Sequence, residues 1–93
     1  MDFEWDQQKA EANRKKHGVS FDEARTVFRD PLARIFYDET HSAREPREIV
    51  IGHSILNRLI LVGFTERAGR IRIIHARFTT SKERKNYEEE TAI

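Results

Sequence analysis

Residues 59 to 64, Leu-Ile-Leu-Val-Gly-Phe, are apolar on both faces of an extended chain, which places that strand at the centre of a sheet. The flanking segments say what kind of sheet this is. Arg47 to Ile55 and Arg70 to Phe78 read as strands, separated from Leu59 to Arg67 only by Leu56-Asn57-Arg58 and by Ala68-Gly69. Both gaps are of hairpin length, and Asn57 and Gly69 accept the positive φ that such turns need. Three strands joined in this way form an antiparallel meander.

The segments before it carry helix signals. Phe3-Glu4-Trp5 alternates like a short edge strand, and Asp6 then offers an N-cap to a helix over residues 6 to 17 that Gly18 closes. Ser20-Phe21-Asp22-Glu23 is a capping box, with Val19 and Ala24 as its hydrophobic staple and Phe21, Ala24, Val27 and Phe28 on one face. Asp30-Pro31 ends this second helix, because the residue before proline is pushed out of the helical region. Ala33 to Tyr37 reads as a strand, followed by a polar loop through Pro46 that contains Asp38, Glu39, His41 and Glu45. Thr80-Ser81-Lys82-Glu83, a second capping box, opens a last helix that frays near Glu90. Runs of helices and strands without strict alternation predict an α+β architecture. The expected form is a small twisted, mainly antiparallel sheet with helices on one face and the other face left open.

A chain of 93 residues makes a single domain, residues 1–93, with one modest core. Nine aromatics and a full set of Ile, Leu and Val argue against disorder. There is no cysteine, so disulfides and thiolate metal sites are excluded. No apolar run approaches the roughly 20 residues of a membrane span, and the N-terminus lacks a signal pattern, so no membrane association and a cytoplasmic location are expected.

Charge distribution carries more than net charge. Residues 51 to 85 hold eight cations against two acids, within a chain whose net charge is only +1. Such a segment is the footprint of a site for phosphates or an acidic partner. The first helix has only Ala10 and Ala12 as apolar residues, so it cannot dock by an ordinary hydrophobic stripe. Either it is a solvated helix with a basic C-terminal turn, or Lys9, Asn13, Lys16 and His17 face a ligand.

In the strand after Gly69, alternation places Arg70, Arg72, Ile74, Ala76 and Phe78 on one side, and Ile71, Ile73, His75 and Arg77 on the other. Arg70 and Arg72 could sit in cross-strand pairs with Glu66 or Glu48. Arg77 lies near the end of an otherwise buried face, where a guanidinium needs a partner or a phosphate. Arg84 and Tyr87 share a helix face, and if that helix packs at the strand's end, Arg77, Arg84 and Tyr87 form a phosphate-binding corner. His17, His41, His53 and His75 share no metal-ligand spacing, and no cofactor motif occurs, so no metal or cofactor is expected. Arginine, lysine, histidine and tyrosine suit metal-free cleavage of RNA, whose 2′-OH can attack the adjacent phosphate.

Phe3-Glu4-Trp5-Asp6, Lys9-Ala10, Asn13, Lys16-His17-Gly18-Val19-Ser20-Phe21, Glu23-Ala24, Val27-Phe28 and Asp30-Pro31-Leu32 resemble the N-terminal signature of BrnT toxins. The resemblance continues through Gly52, Arg58, Thr65-Glu66-Arg67, Arg70-Ile71-Arg72-Ile73-Ile74, Ala76-Arg77, Glu83-Arg84 and Tyr87-Glu88. It implies a RelE-like α+β fold, a ribonuclease toxin of a type II toxin-antitoxin pair that arrests growth, and a BrnA-like antitoxin partner. Operator DNA would be bound only through that antitoxin. The matching positions imply RNA contacts from Lys9, Lys16, Arg67 and Arg72, transition-state stabilisation by Arg77 and Arg84, and proton transfer by His17 or Tyr87. His75, Asn57 and Phe78 depart from the family pattern. A non-catalytic module, binding nucleic acid or the antitoxin through its basic surface, is the alternative.

Overall fold

The computed structural model describes residues 1–38 and 46–91. Within them the strands are β1 (Asp2–Glu4), β2 (Arg34–Tyr37), β3 (Glu48–His53), β4 (Leu59–Arg67) and β5 (Arg70–Phe78), and the helices are α1 (Gln7–His17), α2 (Phe21–Thr26) and α3 (Ser81–Thr91). They build one α+β unit around a sheet of order β1-β5-β4-β3-β2. The apolar run of β4 is therefore central, as its two-sided hydrophobicity demands. β2, β3, β4 and β5 pair antiparallel, while β1 runs parallel to β5, so the sheet is mixed. Both hairpin turns use positive φ, at Asn57 (59°) and at Ala68 (49°) and Gly69 (79°). Residues 39–45 of the expected polar loop, with Glu39, His41 and Glu45, lie outside the described residues.

Helix ends follow the local chemistry. Asp6 accepts the Lys9 N–H at 3.0 Å, and Gly18 closes α1 at φ 72°. Ser20 accepts the Glu23 N–H at 3.0 Å, which is half of the expected capping box. The Glu23 carboxylate instead turns away to Arg58 and Ser54. α2 is short, and the chain tightens into a 3₁₀ turn over Val27–Arg29 before Asp30-Pro31. In α3 both halves of the box form, with Glu83 N–H to Thr80 at 3.2 Å and Thr80 N–H to Glu83 at 2.8 Å.

On one sheet face Val19, Phe21, Ala24 and Val27 bury against Val50, Ile60, Val62, Phe64, Ile71, Ile73 and Ala76. Phe3, Phe28 and Phe64 interlock edge-on in the same core, at centroid separations of 5.2 and 5.0 Å. Each fully buried side chain of this kind contributes about 1.5–3 kcal/mol. The grouping of Ile71 and Ile73 with Ala76 corrects the alternation read from the sequence. Gly63 pairs with His75 but Phe64 with Ile73, so Ile74 is an extra residue in a bulge. A bulge advances the side-chain phase by one, which brings Ala76 onto the helix-covered face and leaves His75 and Arg77 on the other.

That second face is not left open. Tyr87 of α3 buries there against Ile51, Leu59 and Leu61, so α3 lies opposite α1 and α2. The expectation of helices on one face fails because a single buried aromatic is enough to seat a helix whose remaining residues are polar.

α1 docks by polar pinning. The Asn13 side chain donates to the carbonyls of Ala76 (2.8 Å) and Val19 (3.0 Å) and accepts the Ala76 N–H (3.0 Å). β1 pairs only with residues 70 to 72 of β5, so the outer edge of β5 beyond Arg72 needs another partner, and Asn13 acts as a one-residue strand there. Asn13 is thus structural, and the ligand-facing reading does not apply to it.

Candidate nucleic-acid interface

The geometry of α1 against β5 places the basic residues. Burial of the Asp6 carboxyl is outweighed by the Lys9 N–H, with Gln8 and the Lys9 and Arg72 charges assisting, so its pKa falls below the ordinary range. Glu4 pairs with Arg72 two residues before Asp6, which sets the start of α1 near the Arg72 level of β5, and Asn13 marks the Ala76 level. α1 therefore runs alongside β5 in the same direction. Ala10 packs into the core, and helical spacing sets Lys9 and Lys16 on the opposite flank of Asn13, bordering the β5 edge. Both lysines are exposed, and His17, one turn beyond Asn13, is half-buried.

β5 supplies the second row. Arg72 is half-buried and donates to Glu4 at 2.9 Å, and Arg70 lies 4.0 Å from the same carboxylate. The cross-strand acid is thus Glu4 of β1, not the expected Glu66 or Glu48. Arg67 is exposed and faces Arg70 across the hairpin end. His75 lies over Gly63, whose missing side chain makes room for the imidazole, since a Cβ there would overlap the ring.

In the proposed corner of Arg77, Arg84 and Tyr87, Arg77 and Tyr87 turn to different partners. Arg77 makes a two-pronged contact with Glu83, at 2.8 and 3.0 Å, and also donates to the Phe78 carbonyl at 3.2 Å. Arg77 and the Thr80 N–H hold the Glu83 carboxyl down at about 2, against the opposing effect of burial. The partner that a buried-face arginine requires is therefore internal. Arg84 is exposed on α3. Tyr87 points elsewhere, donating to Asp30 Oδ2 at 3.2 Å with His53 Nδ1 3.4 Å away. Burial, and then Asp30, push the Tyr87 hydroxyl above its usual pKa. That makes it a poor base near neutrality.

Three features escaped the sequence because their partners are distant along the chain. Asp30, read as a helix stop, accepts the N–H groups of His53 (2.7 Å) and Leu32 (2.9 Å) beside Tyr87. Burial raises its carboxyl, but those donors outweigh it and the pKa lies below the ordinary range. An open pocket lies next to this cluster, lined also by Thr26, Arg29, Ser54 and Ile55. Glu23, buried, receives Ser54 Oγ at 2.6 Å and Arg58 through Nε at 2.8 Å and through Nη2, and the Arg58 bonds keep it ionised against desolvation. Arg58 lies over the Phe78 ring, 5.0 Å from its centroid. Among the described residues no group of His, Cys, Asp and Glu is placed to hold a metal ion, and no helix is long and apolar enough to cross a membrane.

Residues 5–83 match the family model described as the ribonuclease toxin BrnT of type II toxin-antitoxin systems. The chain belongs to the BrnT family. A crystal structure of the ribonuclease toxin BrnT from Brucella abortus superposes with a TM-score of 0.68 at 23% identity, over 87% of this chain and 99% of that one. At that identity the BrnT structure supports the fold alone, an α+β unit with a mixed five-stranded sheet and three helices. No curated protein matches the chain. The BrnT family description places the chain among ribonuclease toxins, whose substrate is RNA and whose type II systems supply an antitoxin partner.

Proposed function

We propose that this protein is a metal-independent endoribonuclease that arrests growth in the cytoplasm, is neutralised by a BrnA-like antitoxin and represses its own operon through that complex. Its fold is read as RelE-like. The observation that carries this reading is the course of α1, with Lys9 and Lys16 on its exposed flank, alongside the arginine-bearing strand β5, set by the β1–β5 register and the Asn13–Ala76 bonds. Two cationic rows side by side suit a single RNA backbone.

In the proposed reaction a base removes the 2′-OH proton, the 2′ oxygen attacks the adjacent phosphorus, and the bond to the 5′ oxygen breaks. An acid protonates that leaving oxygen, giving a 2′,3′-cyclic phosphate and a 5′-OH. Lys9, Lys16, Arg67 and Arg72 hold phosphates, and Arg77 and Arg84 offset charge on the pentacoordinate transition state. His17 is the proton-transfer group favoured here, since Tyr87 is engaged by Asp30 and has a raised pKa. A phosphate that reaches Arg77 must displace Glu83.

Purified protein incubated with RNA in EDTA should produce 2′,3′-cyclic ends, and Arg77→Ala plus Arg84→Ala should abolish them. Intact RNA under conditions of demonstrable binding would sink the enzyme reading. The second reading, a non-catalytic binding module, is favoured by one observation, the internal neutralisation of Arg77 by Glu83.

A further inference from the structure

Phe78 closes the strand that carries Arg70, Arg72 and Arg77, yet it stands outside the interlocked aromatic core and is 45% exposed. One neighbour is fixed firmly. The Arg58 guanidinium over its ring is gripped by the Glu23 carboxylate through Nε and Nη2, and Nη2 also reaches the Gly18 carbonyl at 3.5 Å. A guanidinium held along one edge by a two-pronged carboxylate keeps its plane without further ordering, and Arg58 is still 38% exposed.

The same contacts bring the end of α1 to this place. Gly18 directly follows Lys16 and His17. Asn13 is pinned at Ala76, and α1 and β5 run in the same direction, so His17, one turn later, advances towards Phe78, two residues later. An aromatic face, a fixed guanidinium, an imidazole and an exposed ammonium therefore converge where the two cationic rows end. The Arg77 guanidinium, bonded to the Phe78 carbonyl, lies one peptide away.

We propose that Phe78, backed by Arg58, is a stacking platform for one unpaired nucleobase of an RNA strand, with Lys16 holding that nucleotide's phosphate. Aromatic rings beside cations bind single strands because every base has a π face and every nucleotide carries a negative charge. Ile55 and Leu56, exposed at the same end of the sheet, would suit a protein partner, but the half-exposed ring beside the exposed Lys16 favours a nucleotide. The proposal deepens the ribonuclease reading and rests on it for the substrate class.

The test uses the full chain, in EDTA, and a 2′-O-methyl RNA oligonucleotide that cannot undergo 2′-OH attack, with binding followed by fluorescence anisotropy. Phe78→Ala should weaken binding by at least about five-fold, Phe78→Leu should weaken it similarly, and Phe78→Tyr should bind like the parent, all at an unchanged thermal midpoint. Cleavage positions on ordinary RNA should shift in Phe78→Ala and return in Phe78→Tyr. Binding by Phe78→Ala or Phe78→Leu equal to the parent overturns the platform. So does undiminished RNA binding by Phe78→Ala together with lost neutralisation by the antitoxin, which would assign the patch to protein docking. If the parent binds RNA without cutting it, the ribonuclease reading fails while the binding series still decides the platform.

Discussion

Single residues settle points that no pattern could carry. Asn13 satisfies three backbone groups at once, two carbonyls and the Ala76 N–H, all buried. Asn13→Ala leaves them without partners and should cost about 2–3 kcal/mol in urea denaturation. Asn13→Asp should be no better, because a carboxylate cannot donate to carbonyls. Gly63 interrupts an otherwise bulky central strand because the His75 ring occupies its side-chain space. Gly63→Ala should destabilise by about 1–2 kcal/mol, and the double variant with His75→Ala should recover most of that loss. Were the double variant as unstable as the single one, His75 would not be the reason for the glycine.

At the scale of elements, Glu83 ties the start of α3 to the end of β5 by serving the Thr80 cap and Arg77 together. Its pKa is lowered to about 2 from an ordinary 4.5. A carboxyl depressed on folding adds stability that is complete above about pH 4.5 and is lost as pH falls towards 2. Both side chains are partly exposed, so the contribution is about 1–2 kcal/mol after solvent screening. Denaturation of Glu83→Gln between pH 2 and 5 should show a shallower acid slope than the parent, while RNA binding at neutral pH tightens because Arg77 is released. An identical acid slope would remove Glu83 from that role. The bulge at Ile74 acts at the same scale, since it alone decides that His75 and Arg77 leave the face of Ile71 and Ile73.

For the whole molecule, charge placement matters more than net charge. The proposed RNA interface through Lys9, Lys16 and the arginines of β5 predicts strongly salt-dependent binding, with the logarithm of affinity falling linearly against the logarithm of salt concentration. Lys16→Ala should lower that slope by about 0.7 and weaken binding evenly across RNA sequences. An unchanged slope would place Lys16 outside the interface. The apolar run at Leu59 to Phe64, the hairpin turns and the helix caps made the central strand, the meander and the three helices legible. The candidate site was legible only as residue types, cations with His17 and Tyr87, and not as an arrangement in space. Arg77 and Tyr87 are ten residues apart along the chain but turn to different partners, Glu83 and Asp30.

Local signals, which act within a few residues, were sufficient for elements and their order: Asp6 and Ser20 as caps, Gly18 as a stop, Asn57 and Gly69 as turns. Tertiary structure alone decided which face each element covers, because face depends on a bulge that shifts strand phase and on one tyrosine that seats α3. It also decided which cations are already neutralised. A carboxylate partner such as Glu4 for Arg72 or Glu23 for Arg58 is brought close only by folding, and electrostatic pairing depends on distance in space, not along the chain.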